Sequence, residues 1–398
     1  MKRLLLVVTG LDLGGAENQV VQLAKRLQKR GWNVHVLSLR TPGVLARELH
    51  EAGIPVLSLG IRSLLSAPLG ALRLARLIHR LKPHVVHAHM FHANLLCRLV
   101  RPLAPIPVLV CTAHSVYEAP SSATRLREVT WREWAYRLTD PLCDLTTQVS
   151  QAGLTRYLAV KAVNPHKALV VYNGIDTAFF KPDQALREKL RQELGVGKAF
   201  VWLAVGRLEP QKDYHTLLRA FAHLGERGQV LLIVGEGRLR HELEELADAL
   251  GLSDRVRFLG RRQDIPALMN AADAFVLSSA WEGFGLVIAE AMACGLPIVA
   301  TDSGGPCEIL DEGRLGYLVQ PKNPAALAQA MRLVMELSPT ERQRMGERGR
   351  RHILNRFDLE SIVSEWDALY THLLTHAKGR PKRWAKSTPC LPSQYCLR

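Results

Sequence analysis

Two carboxylates and a glycine-containing turn lie close together in one segment of this 398-residue chain. Glu282 and Glu290 have seven residues between them, and the first four, 283–286, are Gly-Phe-Gly-Leu. The pattern predicts a strand end, a loop and a helix start, where backbone N–H groups form an anion site. Carboxylates beside such a site accept hydrogen bonds from paired hydroxyls, which suits a polyol that carries a diphosphate. The structural alternative is that Glu290 forms a salt bridge on its helix and Glu282 lies on the loop surface.

Two cations follow the strand predicted over Phe200–Val205. Arg207 and Lys212 lie on the side of an open α/β sheet where ligands usually bind, although ordinary surface cations are the structural alternative. A guanidinium and an ammonium together neutralise a diphosphate without a metal ion. Gly14 and Gly15 follow the first predicted strand. Their amides can approach a phosphate or a sugar closely, or they can form a plain tight turn.

Histidines mark two strand ends in the first half of the chain. His114 ends the strand predicted over Val108–Thr112, where either a site role or a structural role is possible. His87 and His89 alternate onto one face of the strand predicted over Val85–Ala88. His84 and His92 flank them, but no nearby Cys, Asp or Glu completes a ligand set, so no metal site is predicted.

Two common nucleotide-binding fingerprints are missing. Gly235-Glu236-Gly237 lacks the third glycine of a dinucleotide site, because Arg240 stands in its place. No strand-to-helix loop contains Gly-Lys-Ser/Thr. The sequence therefore argues against a dehydrogenase and a P-loop protein.

The elements that must position these residues are strands and helices in alternation. Short runs of Val, Leu and Ile alternate with amphipathic segments, which is typical of parallel strands joined by helical crossovers. The predicted strands are Leu4–Thr9, Val34–Leu39, Val56–Leu59, Val85–Ala88, Val108–Thr112, Leu169–Val171, Phe200–Val205, Val230–Val234, Val256–Leu259, Ala274–Leu277, Ile298–Ala300 and Tyr317–Val319. The predicted helices include Ala16–Arg30, Leu69–Leu81, Tyr214–Leu224 and Leu239–Leu250. Two doubly wound α/β domains account for this pattern.

Turn residues suggest where the domains meet. Asn173-Gly174-Ile175-Asp176 and Lys181-Pro182-Asp183 have the chemistry of a hinge. We expect an N-terminal domain over 1–175 and a C-terminal domain over 176–357. A helix over 358–376 is expected to pack back toward the N-terminal domain, and 377–398 reads as a disordered basic tail.

Composition and charge restrict the class of protein. No apolar run is long enough to cross a bilayer, and seven cysteines without a Cys-x-x-Cys pair suggest a reducing, cytosolic location. Residues 1–175 carry 22 Lys/Arg against 9 Asp/Glu, whereas residues 176–377 carry 24 against 28. The basic first half favours an anionic membrane surface as a partner, with plain solubility as the alternative. The basic residues are scattered, so nucleic acid is not expected.

The Glu-x7-Glu segment resembles the signature of glycosyltransferase family 4, a large retaining family with the GT-B fold. Other segments resemble the family at compatible places. They are Gly14-Gly15-Ala16-Glu17, Gly206-Arg207-Leu208-Glu209-Pro210-Gln211-Lys212-Asp213, Val234-Gly235-Glu236-Gly237, Gly260-Arg261-Arg262-Gln263-Asp264-Ile265 and Ala300-Thr301-Asp302-Ser303-Gly304-Gly305-Pro306-Cys307-Glu308. The resemblance runs from the first predicted strand into the C-terminal helices. It implies an α/β GT-B fold of two Rossmann-like domains that face each other across a cleft, with C-terminal helices.

The resemblance also implies roles for single residues. Arg207 and Lys212 would stabilise the leaving nucleoside diphosphate, Glu282 would hold hydroxyls of the donor sugar, and His114 would hydrogen-bond the donor. Glu290 would hold the ribose hydroxyls. The remaining donor-binding residues would be Gly14, Gly15, Arg261, Gly283, Phe284, Gly285 and Leu286. The position of His89 just past a strand end separately suggests that it lines the acceptor side, and no metal or cofactor is expected.

The implied activity is a retaining transfer of a hexose-type sugar from a nucleoside-diphosphate sugar to an acceptor hydroxyl. A lipid-linked saccharide or glycolipid of cell-surface polysaccharide synthesis is the expected acceptor, at the inner face of an anionic membrane. The alternatives are a nucleotide-sugar epimerase on the same fold, and a non-catalytic protein that binds a nucleotide sugar or a membrane surface.

Overall fold

The computed structural model of the chain describes residues 1–61, 63, 66–116, 129–225 and 228–377, which form two units. Unit 1 contains Met1–Gly174 and the chain from Glu360 onward, and unit 2 is Ile175–Leu359. The unit boundaries therefore fall one residue before and two residues after the predicted ones. The predicted tail, 377–398, lies outside the described residues except for Ala377, which ends the last helix.

Unit 1 is built on a parallel sheet of seven strands. The strands are β1 (Arg3–Val8), β2 (Asn33–Ser38), β3 (Val56–Ser58), β4 (Val85–His89), β5 (Val108–Ala113), β6 (Leu145–Gln148) and β7 (Ala168–Val170). The helices between them are α1 (Gly15–Lys29), α2 (Ala46–Glu51), α3 (Ala67–Leu81), α4 (Phe91–Val100), α5 (Trp131–Thr139) and α6 (Gln151–Ala159). The spatial order is β3-β2-β1-β4-β5-β6-β7, so the direction of winding reverses between β1 and β4.

Strand β6 is the one strand in the described part of unit 1 that the sequence patterns did not predict. Its residues, Leu-Thr-Thr-Gln, are buried along the whole strand. The hydroxyl of Thr146 accepts a hydrogen bond of 2.7 Å from Arg98, and the hydroxyls of Thr147 and Thr112 are 2.6 Å apart. The two threonines can therefore lie buried in this strand, because each of their hydroxyls has a partner.

Unit 2 is built on a parallel sheet of six strands. The strands are β8 (Phe200–Val205), β9 (Gln229–Val234), β10 (Val256–Phe258), β11 (Ala274–Leu277), β12 (Ile298–Thr301) and β13 (Tyr317–Val319). The helices are α7 (Gln184–Glu193), α8 (Tyr214–Ala222), α9 (Arg240–Ala249), α10 (Ile265–Ala271), α11 (Leu286–Ala293), α12 (Gly305–Ile309), α13 (Pro324–Glu336) and α14 (Pro339–Arg356). The order β10-β9-β8-β11-β12-β13 places the reversal between β8 and β11.

The last helix, α15 (Leu359–Ala377), belongs to unit 1 from Glu360 onward. The indole N–H of Trp32 donates a 2.8 Å hydrogen bond to Asp367, and Arg26 forms a 2.8 Å ion pair with Glu360. Tyr370 is fully buried, and its ring meets that of Trp32 edge-on at 5.6 Å. The C-terminal helix therefore completes the core of the first unit, with aromatic contacts rather than charge alone.

Candidate functional site

The reversal in strand order defines a crevice at the carboxyl ends of β8 and β11 in unit 2. Ligands of open α/β sheets bind at such switch points. The loop after β8 contains Gly206, Arg207 and Lys212, and the loop after β11 contains Glu282. Residues that are 70 positions apart in the sequence therefore lie beside each other.

Lys212 and Glu282 form an ion pair between these two loops. The ammonium contacts Oε1 of Glu282, and the hydroxyl of Ser279 donates a 2.7 Å hydrogen bond to the same oxygen. Both side chains are largely buried, with 15% of the lysine and 8% of the glutamate side chain exposed. From the sequence, these residues are expected to bind different parts of a ligand, and their pairing was not predicted.

The backbone holds the two loops together around this ion pair. The hydroxyl of Ser278 donates to the carbonyl of Lys212 at 2.8 Å, and the N–H of Ala280 donates to the carbonyl of Gln211 at 2.8 Å. On the other side, the N–H of Glu282 donates to the carbonyl of Ser303 at 2.8 Å, in the loop after β12. The loops of three neighbouring strands thus form one hydrogen-bonded rim.

Glu290 lies within α11, and it is half-buried. Burial raises the pKa of its carboxyl to about 7, while the ammonium of Lys212 acts in the opposite direction. The carboxyl is therefore close to half-protonated near neutral pH. It can donate or accept a hydrogen bond there, whereas the paired Glu282 offers acceptor oxygens.

The turn between Glu282 and Glu290 offers an anion its backbone N–H groups rather than its side chains. Phe284 is buried, with its ring 5.5 Å from that of Phe357, so it packs in the core and its side chain is not available to a ligand. Gly285 caps the helix at a φ of +96°, which an L side chain rarely adopts. With Gly283 and Leu286 it forms the helix start that the sequence predicted as an anion site.

Arg207 and Arg261 are both exposed. Among the described residues, the guanidinium of Arg207 makes no hydrogen bond or ion pair, so it is available to a ligand. Arg261 follows β10 on the far side of β9, two strands away from the switch point. Within the described part of the chain, no hydrogen bond or ion pair joins Arg261 to the Lys212–Glu282 pair.

In unit 1, the predicted glycines lie at the corresponding position of the first strand. Gly14 caps α1 with extended backbone, and Gly15 is the first helical residue. The Glu17 carboxylate folds over Gly14, where an added Cβ would lie 2.2 Å from its Oε2. The loop therefore sits beside the switch point between β1 and β4.

His87, His89 and His114 form a connected cluster at the carboxyl ends of β4 and β5. The rings of His87 and His89 are 3.9 Å apart, and Nδ1 of His89 lies 3.1 Å from Nε2 of His114. His87 hydrogen-bonds to the Tyr370 hydroxyl at 2.5 Å and to the Thr112 hydroxyl at 2.7 Å. Alternation along the strand was thus correct for His87 and His89, but Tyr370 of α15, the partner of His87, was not predicted.

These imidazoles are uncharged at neutral pH. Burial lowers the pKa of His114 to about 4, and burial together with the neighbouring imidazoles holds the pKa of His87 and of His89 well below the ordinary value. His114 is half-buried, whereas His89 is only 3% exposed. Each ring therefore has one N–H donor and one acceptor nitrogen, so His114 can offer a ligand a neutral hydrogen bond.

Within the described residues, no group of three or more histidine, cysteine, aspartate or glutamate side chains has the arrangement of a metal site. The structure also describes no helix long and apolar enough to span a membrane. Chemically, unit 2 offers two cations to an anionic group and two carboxyls to hydroxyls. Unit 1 offers a glycine loop and a neutral histidine.

Comparisons with known proteins agree with this arrangement. Residues 13–179 match the family described as Glycosyltransferase Family 4, and residues 187–352 match Glycosyl transferases group 1. The chain is 32% identical to the D-inositol 3-phosphate glycosyltransferase of Geodermatophilus obscurus, over 96% of this chain and 90% of the relative. It is 30% identical to the UDP-Gal:alpha-D-GlcNAc-diphosphoundecaprenol alpha-1,3-galactosyltransferase of Escherichia coli, over 81% and 84% of the two chains.

A solved structure has the same fold. Anabaena HepE in complex with UDP-glucose matches with a TM-score of 0.81 and 27% identity, over 93% of this chain and 100% of that chain. The family segments lie in both halves of the chain, and the 32% identity extends over nearly all of it. This chain therefore belongs to glycosyltransferase family 4 and has the GT-B fold.

Proposed function

We propose that this protein transfers a hexose-type sugar from a uridine-diphosphate sugar to a hydroxyl of a lipid-linked saccharide or glycolipid, with retention of anomeric configuration. The observation that carries the proposal is the cluster at the β8–β11 switch point. It combines Lys212, paired with Glu282, with the exposed Arg207 and the half-buried Glu290. The names of the galactosyltransferase relative and of the HepE complex both contain UDP, which supports the choice of nucleotide.

The two cations suit the leaving group of such a transfer. Negative charge grows on the diphosphate as the bond to the sugar breaks, and positioned cations stabilise that charge more than they stabilise the bound donor. Arg207 can form paired hydrogen bonds to phosphate oxygens, and Lys212 supplies a compact charge. The amides of 283–286 add donors without a change in charge.

The carboxyls suit the hydroxyls of the donor. Glu282 is fixed by Lys212 and Ser279, which leaves its other oxygen to accept from a sugar hydroxyl. Glu290 is assigned to the ribose hydroxyls. Because Glu282 is already engaged by a lysine, we assign it no role as a nucleophile, and we propose front-face attack in which the leaving phosphate accepts the acceptor's proton.

Unit 1 is assigned to the acceptor and to one side of the donor sugar. His114, neutral at physiological pH, would hydrogen-bond the sugar, and Gly14 and Gly15 would approach the diphosphate. The basic first half, with 22 Lys/Arg against 9 Asp/Glu, favours a cytoplasmic enzyme that binds peripherally to an anionic membrane. A lipid-linked acceptor would be met at that surface.

The relatives named above are transferases, so the comparisons do not favour the epimerase or the non-catalytic binding protein. A transfer assay tests the proposal. The protein is incubated with a panel of UDP-hexoses, with and without a diphosphoundecaprenol-linked saccharide, and the release of UDP is measured. We expect release that depends on acceptor, and a product whose anomeric coupling constant matches that of the donor sugar. Epimerised donor without any acceptor, or a product of inverted configuration, contradicts the proposal.

A further inference from the structure

Exposed apolar side chains concentrate on one group of helices in unit 1. Helix α4 packs against both α3 and α5. Among the described residues, seven of the fifteen exposed large apolar side chains lie on these three helices and the turn after α4. We call this surface the α3–α5 face, and its apolar members are Leu69, Leu72, Leu99, Leu103, Trp131, Trp134 and Leu138.

Helix α5 is the most apolar part of this face. Trp131, Trp134 and Leu138 are 62%, 48% and 74% exposed, and their spacing of three and four residues places them on one side of the helix. Tyr136 and Thr139 occupy the opposite side and are buried in the unit. On the outer side, the Trp131 ring meets that of Phe91 edge-on at 5.1 Å, whereas Trp134 and Leu138 extend the apolar surface along the helix.

The charge on the same face has a single sign. Helices α3 and α4 contain no Asp or Glu. The acidic residue of α5, Glu133, is 1% exposed and forms a 2.8 Å ion pair with Arg156. Arginines at 73, 76 and 80 of α3 and at 137 of α5 are exposed. A partner of this face must therefore tolerate cations and offer no cations of its own.

The tryptophans and arginines are combined in pairs. The guanidinium of Arg137 lies 5.0 Å from the centre of the Trp134 ring, and that of Arg132 lies 5.6 Å from the Trp131 ring. Each pair joins a broad apolar ring to a cation, and that of the exposed Arg137 can remain hydrated. Such pairs suit the boundary between acyl chains and anionic headgroups, where tryptophan is favoured because one side is apolar and the other wet.

We infer that the α3–α5 face is the surface by which this protein docks on an anionic lipid bilayer, with Trp131, Trp134 and Leu138 of α5 entering the headgroup region. The inference rests on the membrane location in the proposed function and adds the surface that makes the contact. Apolar insertion and headgroup attraction act together here. Binding therefore depends on both the exposed apolar residues and the arginines.

Vesicle binding by variants tests the assignment. Sedimentation with vesicles of phosphatidylglycerol and phosphatidylcholine is compared with that on phosphatidylcholine alone. The variant Trp134→Ser/Leu138→Ser is expected to bind anionic vesicles at least tenfold more weakly than the parent, and Arg76→Gln/Arg137→Gln at least fivefold more weakly at low salt. The matched control is Leu333→Ser/Leu354→Ser in unit 2, whose leucines are 42% and 40% exposed. It should bind within twofold of the parent.

Three results overturn the inference. If the parent does not bind anionic vesicles, the membrane location and this surface are both wrong. If the parent binds and the α5 variant binds equally well, only the surface is wrong. If the α5 variant instead changes sedimentation of the free protein from dimer to monomer, the face is an interface between copies. Transfer to a water-soluble acceptor and UDP binding are measured on every variant, so a failure of the proposed transferase activity is seen separately.

Discussion

At the scale of single residues, Lys212 and Glu282 each depend on the other to neutralise a charge that is largely buried. They lie on two loops of the switch point, are largely shielded from water and neutralise each other. A buried ion pair contributes little net stability compared with an apolar pair, but removal of one partner leaves an isolated charge. The same two residues are assigned to the donor, so their effects on stability and on activity can be separated by substitution.

We expect Lys212→Ala to lower the free energy of unfolding by about 3 kcal/mol, because Glu282 is left buried without its cation. The double variant Lys212→Met/Glu282→Gln should recover most of that loss, since the amide still accepts from Ser279. Both variants should use the donor poorly. Urea unfolding and UDP binding measure the two effects, and equal stability of the single and double variants would show that the ion pair is not buried as described.

Glu290 gives a prediction about pH. Its pKa in the folded protein is about 7, above the ordinary 4.5, so the folded state holds the proton more tightly. That contribution to stability is complete below pH 4.5 and is lost as the pH rises through 7. Between pH 5 and pH 8 the parent should therefore lose on the order of 2 kcal/mol more stability than Glu290→Gln.

Comparing the parent with Glu290→Gln separates the titration of Glu290 from that of the other carboxyls. Burial also raises the pKa of Glu365, to about 7, but Glu365 is present in both proteins and its effect cancels in the difference. Chemical unfolding at several pH values measures the difference. A parent and a variant with parallel pH profiles would mean that Glu290 titrates like an exposed glutamate.

The strands of unit 2 position Arg207 and Lys212 through a close backbone contact between two loops. Gly235, after β9, has a φ of +143°, and a Cβ added there would lie 1.9 Å from the carbonyl oxygen of Gly206. Gly206 begins the loop that leads to Arg207 and Lys212. The end of one strand therefore sets the position of the loop that follows its neighbour.

We expect Gly235→Ala to destabilise unit 2 and to weaken UDP binding, because the Gly206 backbone must move. Gly251 is the matched control, since it also has a positive φ, +68°, but no heavy atom lies within 4 Å of an added Cβ. Gly251→Ala should cost about 1 kcal/mol and leave UDP binding unchanged. Thermal unfolding and calorimetric titration of both variants give the comparison, and similar losses of UDP affinity in the two would refute the role of Gly235.

The elements also show what the sequence could predict. Apolar strands such as β8 and β11 were predicted with their observed bounds, because a short continuous apolar run indicates a buried strand. Strand β6 was missed because its burial depends on partners for its hydroxyls, which lie on α4 and β5. The Lys212–Glu282 pair was missed for a related reason. The two loops are neighbours because β8 and β11 lie side by side in the sheet. The local sequence pattern does not reveal which strands are adjacent.

On the scale of the whole molecule, the proposed function makes the protein itself the source of positive charge for the donor. Arg207, Lys212 and the helix-start amides would together oppose the charge of a diphosphate. We therefore expect that exhaustive chelation leaves most of the transfer rate. The assay is repeated with EDTA and then with added Mg²⁺ or Mn²⁺, and a complete loss that a divalent ion restores would mean that the cations of the chain are not sufficient.

Unit 1 is discontinuous in sequence, and this has a consequence for how the protein is made. A ribosome delivers Trp366 and Tyr370 only after all of unit 2, although both residues pack against the first unit. Until then Trp32 lacks the aromatic ring of Tyr370, and His87 lacks the Tyr370 hydroxyl, although its contact with Thr112 can already form. Domains generally fold as their residues emerge, so the second unit in the sequence is the first one that can be completed. The nascent chain must keep its first unit unfinished, with part of its core open, until translation is almost over.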